Sequence, residues 1–510
     1  MNRATSNVLE YLEHSAERYP DKTAFEDEKK TSTYRETWEA ARRIGSALAG
    51  MSEARRPIPV LGEKSVETVQ TFFGIVNAGC FYILLDPKQP VSRLQQILKT
   101  LDATLLVVMS EDHRKTADAL GFDGKIVYYE QMKDSEEDGD VLDVIRANAA
   151  DVDPLYVNFT SGSTGIPKGV VVSHRSVIDF MEYFPELFEI TEEDVIGNQA
   201  PFDFDVSVKD IYATLKTGAT MVMIPKQYFS FPTKLLDYLC ERNVTALIWA
   251  VSAVCIISTL KGFDYKVPEK INKVLFSGEV MPIKHLNIWR KYLPKAQFVN
   301  LYGPTEITCN CTYYKIDREF QKGDVLPIGV PFPNEKVFLL DEEEELVQEA
   351  NKKGELCVAG TALALGYYQA PEQTRKAFVQ NPLNPYYPET IYRTGDLAYY
   401  NETGELCYAS RKDFQIKHMG HRIELGEIES AMDRVDAIVR ACCIFHEEKK
   451  RILAFYEGGI EKREIVKALS KILPPFMIPN AFQKMEHLPL TKNGKIDRKA
   501  LMQEAGIEKC

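Results

Sequence analysis

Short apolar runs that alternate with helical patterns constrain the fold of this chain more than any other feature. Runs such as "ATLLVVM" (103–109), "ATMVMI" and "TALIWAV" have the length of buried strands, and segments such as "SVETVQTFFGIVNAG" have the period of helices. Strands that are apolar on both faces need helices on both sides of their sheet. The alternation therefore predicts an α/β protein with parallel sheets covered by helices.

The pattern changes after about Ser410. Glycine-punctuated β-rich segments, "GELCVAG", "TIYRTGDLAYY" and "GELCYAS", precede this point, and helical segments such as "ELGEIESAMDRV" follow it. A chain of 510 residues also exceeds what one hydrophobic core usually supports. We predict a large N-terminal domain of helix-covered sheets with a β-rich subdomain (1–411) and a small C-terminal α+β domain (412–510).

The composition argues against several classes of protein. A formal net charge of -12 disfavours binding to nucleic acid or to an anionic membrane surface. The uncharged segment 244–260 is shorter than the roughly 20 residues that span a bilayer, and it predicts a buried strand that continues into a core helix. The ten cysteines form no CxxC or zinc spacing, and residues 1–20 predict an amphipathic helix without an apolar signal core. We expect a cytoplasmic monomer with reduced thiols.

The segment "NFTSGSTGIPKGVVVSH" (158–174) is rich in glycine and hydroxylated residues. It is not a Walker loop, because Lys168 precedes Gly169 and "VVVSH" continues as a strand. Its small residues can expose backbone N–H groups and hydroxyls to an anion. A flexible hairpin turn between two strands is the alternative interpretation.

"TSGSTGIPKG" closely resembles the phosphate loop of the adenylate-forming enzymes, which include acyl-CoA synthetases, luciferases, nonribosomal peptide adenylation domains and D-alanine:D-alanyl-carrier-protein ligases. Further motifs follow in that family's order over nearly the whole chain: "NLYGPTE" (300–306), "GELCVAG" (354–360), "YRTGD" (392–396), "SRKDFQIKHMGHRIELGEIE" (410–429) and "NGKIDRK" (493–499). The resemblance implies ATP and Mg²⁺ as cofactors. It also implies attack of a carboxylate on the α-phosphate of ATP, with catalysis by positioning and charge stabilisation.

The resemblance assigns ATP-binding roles residue by residue. The loop that holds the β- and γ-phosphates corresponds to Thr160, Ser161, Gly162, Ser163, Thr164, Gly165 and Lys168. Tyr302 resembles the ring that stacks on adenine, Thr305 a phosphate contact, and Glu306 the magnesium ligand. The remaining residues that we assign to the ATP site are Gly278, Glu279, Asn300, Gly303, Asp396, Arg411 and Lys495.

The resembled family gives distinct roles to Asp396, Arg411, Lys495 and Asp413. Asp396 resembles the carboxylate that accepts hydrogen bonds from the ribose hydroxyls, with Arg411 as a second ribose contact. Lys495 resembles the lysine that reaches the substrate carboxylate and α-phosphate, so the predicted catalytic residues are Lys495, Thr305 and Glu306. Asp413 resembles the hinge about which the small domain swings, bringing "HMGHRIELGE" to the site for thioester formation.

Each motif taken alone has a simpler interpretation. "YGPTE" can be a proline turn before a helix, with Glu306 in the first turn. "TGD" can be an ordinary turn, Arg411 a surface charge, and the "NG" before Lys495 a solvated turn.

The segment "APFDFDVSVKDIYATL" indicates the amino-acid-activating branch. Asp205 resembles the aspartate that pairs with the substrate ammonium, and it could also cap a helix beginning at Val206. The resemblance is closest to stand-alone nonribosomal peptide adenylation domains and D-alanine ligases, although the ligases typically have cysteine where Ser277 stands. The corresponding pocket residues are Asp205, Val206, Lys209, Ile248, Leu275, Ser277, Leu301, Cys309, Asn310 and Lys495.

Lys209 is the unusual pocket residue, because close relatives have an uncharged residue there. In a helix from Val206, Asp205 and Lys209 lie four apart on one face. Lys209 could pair with Asp205 or Asp210, or extend to solvent. Alternatively its ammonium lies in the pocket and selects a substrate with a second anionic or strongly polar group, such as glutamate or aspartate.

These observations predict an enzyme that activates an amino acid, either D-alanine or a polar or acidic one. It would load this amino acid onto the phosphopantetheine thiol of a separate carrier protein. An acyl-CoA synthetase is one alternative, against which Asp205 argues. A catalytically silent nucleotide-binding regulator is another, against which Lys495, Glu306 and Asp396 argue.

Overall fold

The computed structural model describes residues 5–161, 167–490 and 496–507. The strands in this part of the chain are β1 (Thr23–Glu26), β2 (Thr31–Thr33), β3 (Pro57–Leu61), β4 (Phe81–Leu85), β5 (Leu105–Val108), β6 (Lys125–Tyr128), β7 (Pro154–Thr160), β8 (Lys168–Ser173), β9 (Val195–Asn198), β10 (Thr220–Met223), β11 (Ala246–Ala250), β12 (Lys273–Ser277), β13 (Gln297–Tyr302), β14 (Thr312–Lys315), β15 (Val330–Pro331), β16 (Glu335–Leu340), β17 (Gly354–Gly360), β18 (Gly366–Tyr367), β19 (Phe378–Gln380), β20 (Thr390–Tyr400), β21 (Leu406–Arg411), β22 (Gln415–His418), β23 (His421–Glu424), β24 (Ile438–His446), β25 (Arg451–Gly458) and β26 (Ala481–Lys484).

The α-helices over the same ranges are α1 (Leu9–Arg18), α2 (Tyr34–Ala49), α3 (Val66–Asn77), α4 (Val91–Leu101), α5 (Arg114–Leu120), α6 (Gly139–Ala147), α7 (His174–Leu187), α8 (Val206–Thr217), α9 (Pro232–Glu241), α10 (Val251–Thr259), α11 (Ile283–Tyr292), α12 (Pro371–Ala377), α13 (Leu425–Met432), α14 (Lys462–Leu469) and α15 (Arg498–Glu504).

Two large sheets form the bulk of the molecule. The nine-stranded sheet has the order β15-β14-β13-β12-β11-β9-β10-β1-β2, and the seven-stranded sheet has the order β18-β8-β7-β4-β3-β5-β6. Their central strands are parallel. One hydrophobic core joins the inner faces of both sheets with α2, α3, α7 and α8. Helices α9–α11 and α4–α5 cover the two outer faces, so the predicted helix-covered parallel sheets are confirmed.

The segment 244–260 shows how the apolar runs are used. It forms β11 followed directly by α10, which confirms the predicted strand and core helix. Ile248 packs into the core between the sheets, whereas Trp249 packs against the outer helices. Both faces of this strand are therefore buried, which explains its continuous apolar sequence. No helix of the described residues is long and apolar enough to cross a membrane.

The remaining strands form smaller sheets. Strands β16, β17, β19, β20 and β21 form the predicted β-rich subdomain. The C-terminal part contains a hairpin of β22 and β23, a three-stranded sheet of β24–β26, and the helices α13–α15 around a separate core. The α/β fold with a large N-terminal and a small C-terminal domain is thus confirmed. The nine cysteines that the structure describes are free thiols.

Candidate active site

A cavity opens at the carboxyl ends of the parallel strands. Ser277 at the end of β12 and the turn after β13 line one wall, and the segment before α8 lines a second. Strand β7 ends at Thr160 on the same cavity. The hairpin of β22 and β23 covers the opening and contributes Gln415, Lys417, Gly420, His421 and Arg422. Ligands of open α/β sheets bind at this edge, so the topology favours the cavity as the active site.

The predicted phosphate loop connects the antiparallel strands β7 and β8. Thr160 Oγ1 is buried and has no hydrogen-bond partner among the described residues. Lys168 Nζ lies 4.7 Å from the centroid of the Tyr367 ring. Burial lowers the pKa of Lys168, and the nearby Arg422 lowers it further, whereas Glu306 raises it. Predicted contacts Gly162, Ser163, Thr164 and Gly165 lie outside the described residues, as does Lys495.

Glu306 is fully buried in a short 3-10 helix after β13. Its carboxylate accepts hydrogen bonds from Tyr367 Oη at 2.7 Å and from Arg422 Nη1 at 2.6 Å. Burial by itself would raise the pKa of Glu306, but the positive charges of Arg422 and Lys168 outweigh it and lower this pKa to about 2. Glu306 is therefore ionised at neutral pH. The proline turn and the first-turn position of Glu306 are both present.

Asp396 and Arg411 face each other on the paired strands β20 and β21. Arg411 Nη1 donates to Asp396 Oδ1 at 2.7 Å, and the Tyr302 hydroxyl donates to the other carboxylate oxygen. The Arg411 side chain is only 9% exposed, so its interpretation as a surface charge is wrong. The interpretation of "TGD" as an ordinary turn is also wrong, because these residues lie within β20.

Four further residues of the predicted ATP site surround the same edge. Glu279 Oε1 accepts a hydrogen bond from the Gly420 amide at 2.9 Å, and Gly278 has a φ of +93°. Asn300 Nδ2 donates to the Pro327 carbonyl at 2.8 Å. A Cβ on Gly303 would lie 2.4 Å from Asn310 Cα, so only glycine permits this close backbone approach.

Asp205 lies directly before α8 and lines the cavity. Its side chain makes no capping hydrogen bond to the helix, so the expected side-chain cap is wrong although the helix does begin at Val206. Burial raises the pKa of Asp205, opposed by a hydrogen bond from Thr305 and by the charge of Lys209. Because Asp205 lines the cavity, an ammonium group bound there can reach its carboxylate.

Lys209 is completely buried one helical turn after Asp205. Its Nζ donates to Asn310 Oδ1 at 2.8 Å and lies 3.3 Å from Ser277 Oγ. The ion pairs found among the described residues include none with Lys209, and Asp210 instead accepts from Asn198. The interpretations in which Lys209 pairs with Asp205 or Asp210, or extends to solvent, are therefore wrong.

The other predicted pocket residues divide into two groups. Val206, Ser277, Cys309 and Asn310 line the cavity itself. Ile248, Leu275 and Leu301 are buried side chains of neighbouring strands in the core between the sheets. Ile248 and Leu275 are paired in register, so both project to the side of the sheet on which α8 packs.

The hairpin of β22 and β23 is held on the cavity by several contacts. Ser161 Oγ donates to the Arg422 carbonyl at 2.9 Å and accepts from the Glu424 amide at 3.1 Å. The His421 ring stacks on Phe476 with centroids 3.6 Å apart. Asp413, the predicted hinge, precedes the hairpin and accepts from Arg411 Nε at 2.6 Å.

Several residues of the cavity were not predicted individually. Lys417 lies with its Nζ 5.2 Å from the centroid of the Tyr302 ring, and Arg422 bonds to Glu306. Both belong to the motif "QIKHMGHRIELGE", which was the available signal. Arg93 of α4 forms a buried ion pair with Glu427 of α13 at 2.5 Å, and no sequence signal indicated it.

Comparison with known proteins identifies the family. Residues 12–368 match the family described as AMP-binding enzyme, and residues 427–495 match the AMP-binding enzyme C-terminal domain. The chain belongs to this family. The prediction of an adenylate-forming ligase is thereby confirmed.

Two relatives and one solved structure are similar to this AMP-binding enzyme. Zwittermicin A synthase ZmaJ of Bacillus cereus is 34% identical over 97% of this chain and 94% of its own length. Tyrocidine synthase 3 of Brevibacillus parabrevis is 33% identical over 98% of this chain, which spans only 8% of that much longer protein. The Vibrio cholerae adenylation domain AlmE, solved with glycyl-adenosine-5'-phosphate, superposes with a TM-score of 0.85 at 21% identity, covering 100% of this chain and 99% of AlmE.

These similarities place the AMP-binding enzyme in the amino-acid adenylation branch of the adenylate-forming superfamily. The likeness to AlmE shows the shared fold alone. The resemblance to D-alanine ligases stays a prediction.

Proposed function

We propose that this protein joins an amino acid to AMP with release of pyrophosphate, and then transfers the aminoacyl group to the phosphopantetheine thiol of a separate carrier protein. In the first step a substrate carboxylate oxygen bonds to the α-phosphorus of ATP, and the bond from this phosphorus to the pyrophosphate oxygen breaks. In the second step the thiolate sulfur bonds to the acyl carbon, and the bond to AMP breaks. The thiol proton passes to solvent or a base.

One observation carries this proposal: Asp205 and Thr305 line the same cavity, and Glu306 directly follows Thr305 in the chain. The side chain of Thr305 lies close enough to the Asp205 carboxylate to lower the pKa of Asp205. An ammonium paired with Asp205 would thus hold the substrate beside the predicted phosphate contacts. This pairing distinguishes an amino acid from the simple carboxylic acid of an acyl-CoA synthetase.

We propose the ATP site from polar and positively charged groups that can bind the phosphate anions. Thr160 Oγ1 is a buried hydroxyl without a partner among the described residues, and Lys168 supplies positive charge beside it. Asp396 would accept hydrogen bonds from the ribose, held in place by Arg411. We assign adenine stacking to Tyr302.

Glu306 fits the proposed role of magnesium ligand. Mg²⁺ prefers oxygen ligands and usually binds through one or two carboxylates together with substrate phosphates and water. Glu306 offers one ionised carboxylate next to Thr305, which lines the cavity, and the described residues contain no cluster of three or more potential metal ligands. When bound, the ion would neutralise charge on the phosphate oxygens, while Lys168 and Lys495 act from the protein side.

We propose that residues 412–510 move about Asp413 between the two steps. In the arrangement that the structure shows, the hairpin of β22 and β23 lies on the cavity, which suits the thioester-forming step. The proposed adenylation arrangement would bring Lys495 to the substrate carboxylate instead. The domain boundary after Arg411 follows from this assignment.

We further propose that Lys209 selects a polar or acidic amino acid as the substrate. Its ammonium is buried, and its hydrogen bonds within the described part of the chain go to neutral groups, Asn310 and Ser277 among them. A buried charge without an opposite charge bonded to it is costly, and a substrate carboxylate would relieve this cost. The methyl group of D-alanine would leave the ammonium without an anionic hydrogen-bond partner.

The experiment that tests this function is amino-acid-dependent exchange of labelled pyrophosphate into ATP. We expect exchange with a polar or acidic amino acid, glutamate or aspartate being the first candidates. Lys209→Met should shift preference toward small apolar amino acids by about 1 to 3 kcal/mol, the range for one hydrogen bond to a charged group.

Lys216→Met is the matched control, because Lys216 lies on the same helix but does not line the cavity. Its Nζ forms an ion pair with Glu182 at a distance of 2.8 Å. It should leave the preference order unchanged. Preference of the unaltered protein for D-alanine over every acidic amino acid would show that Lys209 is structural. Exchange with simple carboxylic acids and with no amino acid would instead favour an acyl-CoA synthetase.

A further inference from the structure

A chain of hydrogen bonds links a lysine outside the cavity to α8, the helix that carries Lys209. Asn198 at the end of β9 donates from Nδ2 to Asp210 Oδ2 at 2.5 Å. The Oδ1 atom of Asn198 accepts from Lys64 Nζ at 2.9 Å. Asn198 and Asp210 are completely buried, and Lys64, between β3 and α3, is partly buried. Asn198 therefore connects Lys64 to the residue that directly follows Lys209 in the helix.

The carboxylate of Asp210 is shared between two lysines. Its Oδ1 atom is buried and has no hydrogen-bond partner among the described residues. Burial raises the pKa of Asp210, and the hydrogen bond from Asn198 opposes this rise, as do the positive charges nearby on Lys209 and Lys64. Burial lowers the pKa of Lys64, and the charge of Asp210 opposes that change. When all three groups are ionised, one positive charge remains, because one carboxylate cannot neutralise two ammonium groups.

A bound amino acid leaves the same excess of positive charge. Asp205 is a second carboxylate on which the charge of Lys209 acts, and in the proposed function it pairs with the substrate ammonium. Three positive charges, those of Lys64, Lys209 and the ammonium, then face the negative charges of two aspartates. A carboxylate on the substrate side chain completes the balance. A neutral amide does not, and an uncompensated buried charge is costly.

We infer that Lys64 is a specificity-determining residue that acts through Asn198 and Asp210. It offsets the negative charge of Asp210 and thereby leaves the ammonium of Lys209 for the substrate. This narrows the substrate class to an amino acid with a side-chain carboxylate, such as glutamate or aspartate, in preference to the corresponding amides. The inference rests on the proposed function for the place of Lys209 in the pocket and for the pairing of Asp205 with the substrate ammonium.

Pyrophosphate exchange with glutamate and with glutamine tests this inference on the full chain. The measured quantity is kcat/KM for glutamate divided by kcat/KM for glutamine, because the two side chains differ in charge and hardly in size. If aspartate is the better substrate, aspartate and asparagine replace them. In Lys64→Met the carboxylate of Asp210 is left to Lys209 alone, so the ratio should fall about tenfold, the effect of one unit charge several ångströms away in a buried site. A general loosening of the pocket would lower both values and leave the ratio unchanged.

Asp210→Asn should act in the opposite direction. Asparagine keeps the size and can still accept a hydrogen bond from Asn198, but the negative charge is lost, so the ratio should rise about tenfold. The double variant Lys64→Met/Asp210→Asn removes one charge of each sign and should return close to the ratio of the unaltered protein. Asp210→Asn and the double variant test the inference even if Lys64→Met alone does not fold.

Lys88→Met is the matched control, because it also removes one lysine charge close to Lys64 in the chain's fold. Lys88 Nζ pairs at 2.7 Å with Glu63, the neighbour of Lys64, and the Lys88 side chain is 69% exposed. Water and salt screen such an exposed charge, so the ratio should stay unchanged.

An unchanged ratio in Lys64→Met would overturn the inference, as would a shift of Lys64→Met and Asp210→Asn in the same direction. In either case exchange with the amino acid would still be present. A failure of the proposed function would look different, because no amino acid would then support exchange in any variant. That outcome would overturn the inference together with the proposed function.

Discussion

Lys495→Ala should slow formation of the aminoacyl-adenylate by about 100- to 1,000-fold, the usual effect of removing one group that stabilises charge in a transition state. Negative charge develops on the phosphate oxygens while the substrate carboxylate, itself negative, approaches them. A lysine ammonium between these groups offsets their repulsion. Transfer of the aminoacyl group from a pre-made adenylate to the carrier thiol should remain close to normal, because this step uses the arrangement in which the hairpin of β22 and β23 covers the cavity.

The two steps are measured separately, by pyrophosphate exchange and by carrier loading from synthetic aminoacyl-adenylate. Lys499→Ala is the matched control, since Lys499 belongs to the same motif but is exposed on α15. It should affect neither step. An equal loss of both steps in Lys495→Ala would contradict the assignment of Lys495 to adenylation alone.

Asp205→Asn should weaken binding of the amino acid by about 3 kcal/mol or more, the cost of leaving a buried charge without its partner. Asparagine keeps the shape and can still bond to Thr305, so the change removes mainly the negative charge that the substrate ammonium needs. The expected result is a large rise in KM for the amino acid, with the KM for ATP retained. Pyrophosphate exchange with each substrate varied in turn measures both values.

Asp203→Asn serves as the matched comparison. Asp203 also lines the cavity, but it accepts a hydrogen bond from Gln89 at 3.1 Å, and burial raises its pKa to about 6. Its substitution should raise the KM for the amino acid much less. A comparable rise for ATP and amino acid in Asp205→Asn would show that Asp205 supports the whole cavity rather than the ammonium.

The fold was predictable because its strands and helices can be inferred from short, continuous stretches of the sequence. Segment 244–260 contains a strand-length apolar run followed by a helix-length one, and nothing distant is needed to interpret them. The start of α8 at Val206 was predictable for the same reason. That the Asp205 side chain does not cap α8 was not predictable, because it interacts with Thr305, about one hundred positions away in the chain.

Only those residues of the site that belong to recognised motifs could be predicted from the sequence. The motif that contains Arg422 was recognised, but its partner Glu306 depends on how the C-terminal part lies on the rest of the chain. The sequence also did not decide whether the Lys209 side chain enters the pocket, pairs with a neighbouring aspartate or extends to solvent. Helical spacing allows both Asp205 and Asp210 as partners of Lys209. Only the packing of α8 against the end of β12 and the segment before β14 shows that Lys209 bonds to Ser277 and Asn310 instead.

The most direct test of the account is loading of a phosphopantetheinylated carrier protein, followed by intact mass spectrometry. With ATP, Mg²⁺ and the amino acid that supports pyrophosphate exchange, we predict a carrier heavier by one aminoacyl group, with the added mass removed by hydroxylamine. The carrier without phosphopantetheine should stay unmodified, and free CoA should be a far poorer acceptor. Efficient acylation of CoA by simple acids, with no mass added to any carrier, would contradict the account.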